Sequence, residues 1–384
     1  MLRQYLLVIF GLSAVAAHAQ TVEELQQRLD ELESQIEVFS ANQAAQVFND
    51  YGDEAPNLLT HLSNNAIDPY VFAATINGGG YGGNPKNYIG YSVDGYAEGY
   101  ARFAVIGGGY DNRNNHYAGT VSGGAHHQLY GGAYYGTVGG GSVNYIHSGA
   151  YASIGGGSTN YISNGANSTI AGGRKSIVSQ KYATISGGGE NTVDAKAGVI
   201  AGGVGNTVTG AAINGVVIGG ILSESAARYS VAFGKGVIGD VPASLSFAGR
   251  YNQNPGDAQA LQFHLSGITR NDSSKPLSVA SSSALPEVPE GAAWTGEAYV
   301  LARSASGDVA SWVIPVTVGM NGGQGWSITS GSVDGTTIVD DLGLGVDALS
   351  LSVVSTTGAF MLNARGLPTT ELHWGAYVVL TQVK

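Results

Sequence analysis

The chain is 384 residues long, with 60 glycines, ten prolines, no cysteine and only 12% charged residues. Sparse proline and the lack of a three-residue glycine period exclude collagen, and 43% apolar residues exclude general disorder. Without cysteine there are no disulfides, thiol nucleophiles or zinc–thiolate sites, and a formal charge of -11 argues against nucleic-acid binding.

Met1 to Gln20 carries Arg3, an apolar run from Tyr5 to Ala17, and then Ala17-His18-Ala19. This order predicts a secretory signal peptide over 1–19 and a mature protein that is secreted or held at a cell surface. No later segment reads as an integral membrane helix. From Thr21, the apolar residues Val22, Leu25, Leu29, Leu32, Ile36 and Phe39 are spaced 3, 4, 3, 4 and 3 apart, a heptad pattern. A short coiled coil is expected over 20–48. Heptads so few are marginal alone and suit a clamp on something already oligomeric. Residues 49–69, with Pro56 and Pro69, read as a connector.

A repeat fills the middle of the chain. Thr75-Ile76-Asn77-Gly78-Gly79, Ser92-Val93-Asp94-Gly95, Val105-Ile106-Gly107-Gly108 and Thr120-Val121-Ser122-Gly123-Gly124 open a series. It closes with Ser230-Val231-Ala232-Phe233-Gly234 and Ser244-Leu245-Ser246-Phe247, at steps of 13 to 18 residues. A second apolar position, such as Leu129, Ile146 or Ile162, follows eight residues after the first. An asparagine often stands two before it, as Asn144, Asn160, Asn191 and Asn206 do, and Tyr-Ala pairs such as Tyr151-Ala152 often introduce the next copy.

Each unit thus holds two β-branched strands too short to stand alone. The glycine pair supplies positive φ at a corner, and the asparagine either shares that conformation or ladders with its neighbours. A helix is excluded by glycine density, at about 1 kcal/mol per glycine. The expectation is an all-β parallel β-roll, or solenoid, of about 12 stacked coils over 70–250.

The pattern [ST]-[IV]-x-G-G-x-x-N-x-[IV] resembles the head repeats of trimeric autotransporter adhesins of the YadA type. The resemblance implies a left-handed roll, three chains side by side, and Val22, Leu25, Leu29, Leu32, Ile36 and Phe39 as a trimerisation seam. The copies here are longer and richer in glycine than the family norm.

After Asn254-Pro255-Gly256 the repeats stop. Alternating segments at Ala260 to Leu265, Ala298 to Ala302, Ser311 to Val318, Ala348 to Val354 and Tyr377 to Val383 predict a C-terminal antiparallel β-sandwich over 251–384. Trp294, Trp312, Trp326 and Trp374 are expected in its core. The runs Ala298 to Arg303, Gly325 to Ile328 and Leu372 to Val378 look like the C-terminal β-domain of some phage tail fibres, which implies a cap on a trimeric shaft.

No catalytic set assembles. His61, His116, His126, His127, His147, His264 and His373 are read as turn residues, and no cofactor or metal site is expected. The Asp340-Asp341 pair reads as a solvated turn. Tyrosine is more informative, with 14 of 21 lying between Tyr70 and Tyr161. On one face of a solenoid they make an amphipathic surface for sugars or protein partners, and Tyr88, Tyr91, Tyr96, Tyr100, Tyr134 and Tyr135 are the candidate binding residues. Residues 70–250 hold ten Lys/Arg against seven Asp/Glu. The expected function is that of an exported, homotrimeric, fibrous adhesin or surface structural protein, not an enzyme, binding surface polysaccharide or host matrix protein. The alternative is a phage-derived, tail-fibre-like receptor-binding protein or polysaccharide depolymerase.

Overall fold

The computed structural model describes residues 26–33, 58–59, 65–68, 71–79, 86–90, 101–131, 134–248, 255–256, 258–279, 285–320, 326–328, 336–353 and 358–383. Within the expected coiled coil, 26–33 are helical, with Leu29 half-buried and Leu32 exposed. Val22, Leu25, Ile36 and Phe39 lie outside the described residues, as does the expected signal peptide. No helix among the described residues is long and apolar enough to cross a membrane.

The middle of the chain is a parallel solenoid with two sheets. The first stacks Thr120–Val121, Thr137–Val138, Ser153–Ile154 and Thr169–Ile170 in register and continues to Ser244–Ala248. The second stacks Gln128–Tyr130, Tyr145–His147 and Tyr161–Ser163 and holds eleven strands. Eleven strands bound ten intervals, so there are about ten turns where about 12 coils were expected.

Thr75–Ile76 pairs directly with Val105–Ile106, and Asn87–Ile89 with Arg113–Asn114. Ser92-Val93-Asp94-Gly95, which has the composition of a rung, lies outside the described residues. Stacking also starts before residue 70, because Leu58–Leu59 pairs with Thr75–Ile76 and Asn65–Ile67 with Asn87–Ile89.

Inside the solenoid, Ile154, Ile170 and Ile185 of the first sheet and Ile146, Ile162 and Val178 of the second are fully buried. Each such side chain contributes about 1.5–3 kcal/mol by leaving water. The asparagines take the laddering role, and none of Asn144, Asn160, Asn191 or Asn206 has positive φ. Asn144 Nδ2 donates to the Gly140 carbonyl at 2.9 Å and, one coil on, to the Gly157 carbonyl at 3.1 Å. Its Oδ1 accepts the Asn160 amide at 3.0 Å. Asn160, Asn191 and Asn206 donate to their own and the next coil's glycine carbonyls in the same way. A polar side chain in a dry interior is thereby satisfied, together with the corner carbonyls that the glycines leave behind.

His127 and Ser176 stand in that column in place of asparagine. The His127 amide donates to Asn112 Oδ1 at 3.0 Å, and His127 Nδ1 accepts the Asn144 amide at 3.1 Å. His127 Nε2 and Ser176 Oγ are buried with no hydrogen-bond partner. Another histidine, His116, is fully buried. Its Nε2 donates to the Tyr130 carbonyl at 2.9 Å, while its Nδ1 is buried without a partner.

In Gly123-Gly124, Gly172-Gly173, Gly187-Gly188 and Gly202-Gly203 only the second glycine has positive φ, whereas both do in Gly78-Gly79, Gly108-Gly109 and Gly219-Gly220. Gly188 has φ 90°, and a Cβ there would fall 2.0 Å from the Gly203 carbonyl oxygen of the next coil. Gly187, just before it, faces open space.

Past the solenoid, Ala258–Thr269, Leu372–Val383, Ala293–Ser304 and Val309–Met320 form a long antiparallel sheet in that order. Ser244–Ala248, the last parallel rung, pairs antiparallel with Ala258–Thr269, so the first sheet passes unbroken from one architecture to the other. The expected sandwich is corrected to an unequal pair of layers. A three-stranded sheet of Ser274–Pro276, Phe360–Arg365 and Leu349–Val353 covers one face, with Phe360 edge-on to Phe263 and Trp294. On the other face Tyr299 and Leu301 are exposed.

Three of the four tryptophans are core residues as expected. Trp294 donates to Gln382 Oε1 at 2.7 Å and Trp374 to Thr269 Oγ1 at 2.9 Å, and Trp312 stacks on Trp374 with centroids 5.8 Å apart. Trp326 opens the short strand Trp326–Ile328.

At the end of the second sheet a side chain stands in for a strand. Gln259 Oε1 accepts the Ile238 amide at 2.9 Å, and Gln259 Nε2 donates to the Ile238 carbonyl at 2.7 Å.

Candidate functional site

One solenoid corner, just ahead of the first sheet, has a geometry that repeats in every coil. The residue two before each strand takes a left-handed backbone, and it is seldom glycine. Phe103, Ala118, Tyr135, Tyr151, Asn167, Tyr182, Ala197, Asn214 and Tyr229 all have φ between 50° and 63°. That conformation costs roughly 1–2 kcal/mol for a residue with a Cβ. A hydrogen bond to the previous coil offsets it: the Tyr135 amide donates to the Tyr117 carbonyl at 2.9 Å, and the Tyr151 amide to the Tyr134 carbonyl at 2.8 Å. The same bond recurs from Asn167 to Ala150, Tyr182 to Ala166 and Ala197 to Lys181. Residues two and three before each strand therefore form adjacent columns along the rod.

Aromatic rings occupy the early part of these columns. Phe103 meets Tyr117 edge-on at 5.5 Å, and Tyr117 meets Tyr134 at 6.0 Å and Tyr135 at 5.9 Å. Tyr135 lies flat on Tyr151, with centroids 5.0 Å apart and planes 11° from parallel. Phe103, Tyr134, Tyr135 and Tyr151 are 44–59% exposed, so this is a ridge of rings facing solvent. Further along, Lys196 lies over the Tyr182 ring at 5.9 Å and Arg228 over the Tyr229 ring at 5.8 Å. Tyr229 also borders an open cleft of about 500 Å³, shared with Leu245, Gln262, His264 and Tyr377, where the solenoid meets the long sheet.

Of the six candidate tyrosines, Tyr134 and Tyr135 belong to the ridge. Tyr88 does not: it sits on the second sheet, half-buried, with its hydroxyl donating to Asp68. Tyr91, Tyr96 and Tyr100 lie outside the described residues. The abundance of tyrosine over Tyr70 to Tyr161 mixes residues of different columns. Phe103, Tyr117 and Tyr151 are site residues that abundance alone does not single out, although a signal for two of them is present. Phe103, Tyr135, Tyr151, Tyr182 and Tyr229 each stand two residues ahead of a first-sheet position, at Val105, Thr137, Ser153, Thr184 and Val231.

The opposite end of the first-sheet strands forms a second corner of different character. His126 Nδ1 meets Asp111 Oδ2 at 2.7 Å, and Glu190 pairs with Arg174 at 3.4 Å and Lys175 at 3.6 Å. Its arginine and lysine share a carboxylate partner. The predicted turn histidines separate accordingly: His126 is at this corner, His147 stacks on Tyr130 at 4.6 Å, and His116 and His127 are interior. Burial holds His127 below the usual imidazole range and pushes His116 down to about 4, against the opposing bond to the Tyr130 carbonyl. Among the described residues there is no group of three or more His, Asp or Glu able to hold a metal ion.

No family model matches the chain, and no curated protein matches it. Among solved structures it is similar to the tailspike protein of Acinetobacter phage vB_ApiP_P1, with 10% identity and a TM-score of 0.20. That alignment covers 80% of this chain and 60% of the tailspike chain, less than two thirds of its length.

Proposed function

We propose that the protein is an exported fibrous homotrimer that binds glycans along its solenoid, as an adhesin or a receptor-binding surface fibre. The observation that carries this reading is the ridge of Phe103, Tyr117, Tyr134, Tyr135 and Tyr151. Exposed rings held in a row by a rigid backbone offer an apolar surface of ring edges and unshared faces to the C–H groups of pyranoses, with phenol hydroxyls to hydrogen-bond sugar hydroxyls. The rings are ordered before any ligand arrives, which lowers the entropy lost on binding. Replacing Tyr135 and Tyr151 together by alanine is expected to weaken glycan binding roughly 10- to 100-fold, on about 1 kcal/mol per stacked ring. Thermal stability stays close to the parent because both side chains project outward. A glycan array with calorimetry on its hits checks this, and unchanged affinity would remove the ridge from the function.

The trimer is supported by two features. One is the heptad series from Val22 to Phe39. The other is a row of exposed apolar residues at the far end of the first sheet, where Phe233 is in register with Phe247 and Leu245 is exposed beside them. That row needs a cover, and a second copy in parallel register supplies matching apolar residues at the same level. Light scattering on the full mature chain is expected to give three times the chain mass. A stable monomer defeats the assembly.

A second reading, a tail-fibre-like receptor-binding protein or polysaccharide depolymerase, draws on the passage of the solenoid into a C-terminal antiparallel sheet. Incubation with surface polysaccharide separates the two. Shortened chains favour the depolymerase, and intact chains retained on the protein favour the adhesin.

A further inference from the structure

The ridge does not end at Tyr151. In the same columns and the following coils stand Lys181, Tyr182, Lys196, Arg228 and Tyr229, linked by the same amide-to-carbonyl bonds. All five side chains are exposed. No residue at either column position from Arg102 to Tyr229 is acidic, although the shaft has seven carboxylates elsewhere. None of Lys181, Lys196 or Arg228 makes an ion pair with a described residue, whereas Arg174 and Lys175 at the other corner are both paired with Glu190. The nearest acid in sequence, Asp194, accepts a hydrogen bond from the Ser179 hydroxyl. The slight positive balance of the shaft is therefore gathered into one line, next to rings, with its counter-charges absent.

Resting on the glycan reading above, we infer that this corner is a linear track for an acidic polysaccharide. The chain would run parallel to the solenoid axis, with its pyranoses packed along the exposed parts of Phe103, Tyr135, Tyr151 and Tyr182 and carboxylates against Lys181, Lys196 and Arg228. Successive coils are about 4.8 Å apart, the spacing of neighbouring strands. An extended pyranose chain advances by a similar step per sugar, so ring and charge recur in phase along several residues. Lys196 and Arg228, poised over Tyr182 and Tyr229, keep their heads at the level of the rings. There an anion on a stacked sugar meets both at once, in a setting less screened than open water.

The test compares polygalacturonate with the same polymer methyl-esterified, alongside a panel of neutral glycans, on the full mature protein. The free acid is expected to bind at least tenfold tighter than the ester, and its affinity to fall several-fold as salt rises from about 0.05 to 0.5 M. The Lys181→Gln, Lys196→Gln and Arg228→Gln triple variant is expected to lose about tenfold toward the acid and nothing toward the ester. The Tyr135→Ala, Tyr151→Ala variant loses affinity for both. Equal binding of acid and ester by the parent overturns the acidic track and leaves the glycan reading intact. Binding to none of the acidic or neutral glycans overturns the glycan reading itself.

Discussion

Gly188→Ala is expected to destabilise the protein by roughly 3–5 kcal/mol, while Gly187→Ala changes stability by no more than about 0.5 kcal/mol. The two residues are neighbours of the same type, but their surroundings differ. Gly188 has φ 90°, and the place of its absent Cβ is crowded by the Gly203 carbonyl oxygen at 2.0 Å and Asn191 Nδ2 at 2.9 Å. A methyl group there pushes apart two coils and the asparagine bond that joins them, besides adding the left-handed strain. Gly187 lacks a positive φ, and a Cβ added to it would have nothing within 4 Å, so the methyl meets solvent. Denaturant or thermal unfolding of both variants checks the contrast. Equal effects would show that coil spacing is not set at this corner.

Acidification is the second large effect. His116 and His127 both have folded-state pKa values below the imidazole norm of 6.5, His116 at about 4. The unfolded chain therefore binds more protons than the folded one between those limits, so stability rises with pH across that window and falls as pH drops below about 6.5. For His116 alone the loss approaches about 3 kcal/mol by pH 4. The cause is visible in the packing. His127 Nδ1 already accepts the Asn144 amide, so a proton there breaks a rung, and His116 lies under Gly136, whose missing side chain makes its room. His126 adds repulsion beside His127, and His147 beside His116. His127→Asn restores the side chain used in neighbouring coils and is expected to stabilise by about 1–2 kcal/mol while reducing the acid sensitivity. Unfolding curves of parent and variant from pH 7 to pH 4 decide it, and a flat parent profile would refute the buried-histidine account.

The stacked rungs are legible in the sequence because Ile and Val recur at corresponding points of successive coils, and burial demands that recurrence wherever two sheets share a dry interior. Leu58–Leu59 shows the limit of the pattern, since it pairs with Thr75–Ile76 although no glycine pair follows it. The asparagines are legible as special, but only the folded backbone distinguishes a laddering side chain from a left-handed corner. For the glycines the pair is evident and the one that matters is not, because the decisive atom belongs to the next coil. The ridge is half legible: Tyr134 and Tyr135 follow from abundance, whereas Tyr117 and Tyr151 need the column register. In the C-terminal part, the strand cores at Ala260 to Leu265 and Ala298 to Ala302 are readable from alternation. Their full extents, Ala258–Thr269 and Ala293–Ser304, depend on pairing with Leu372–Val383 far away in sequence.

The amide of Gln259 gives the solenoid a definite last rung. A stack of parallel strands is a template at both of its ends, since each terminal strand presents donors and acceptors that another coil can continue. Here the distal end of the first sheet is taken by Ala258–Thr269, and that of the second by one glutamine side chain bonding both ways to Ile238. The rod is thus a ruler with one finished end. Its length is written in the number of repeats, and at this end neither solenoid sheet offers its last rung to a further coil.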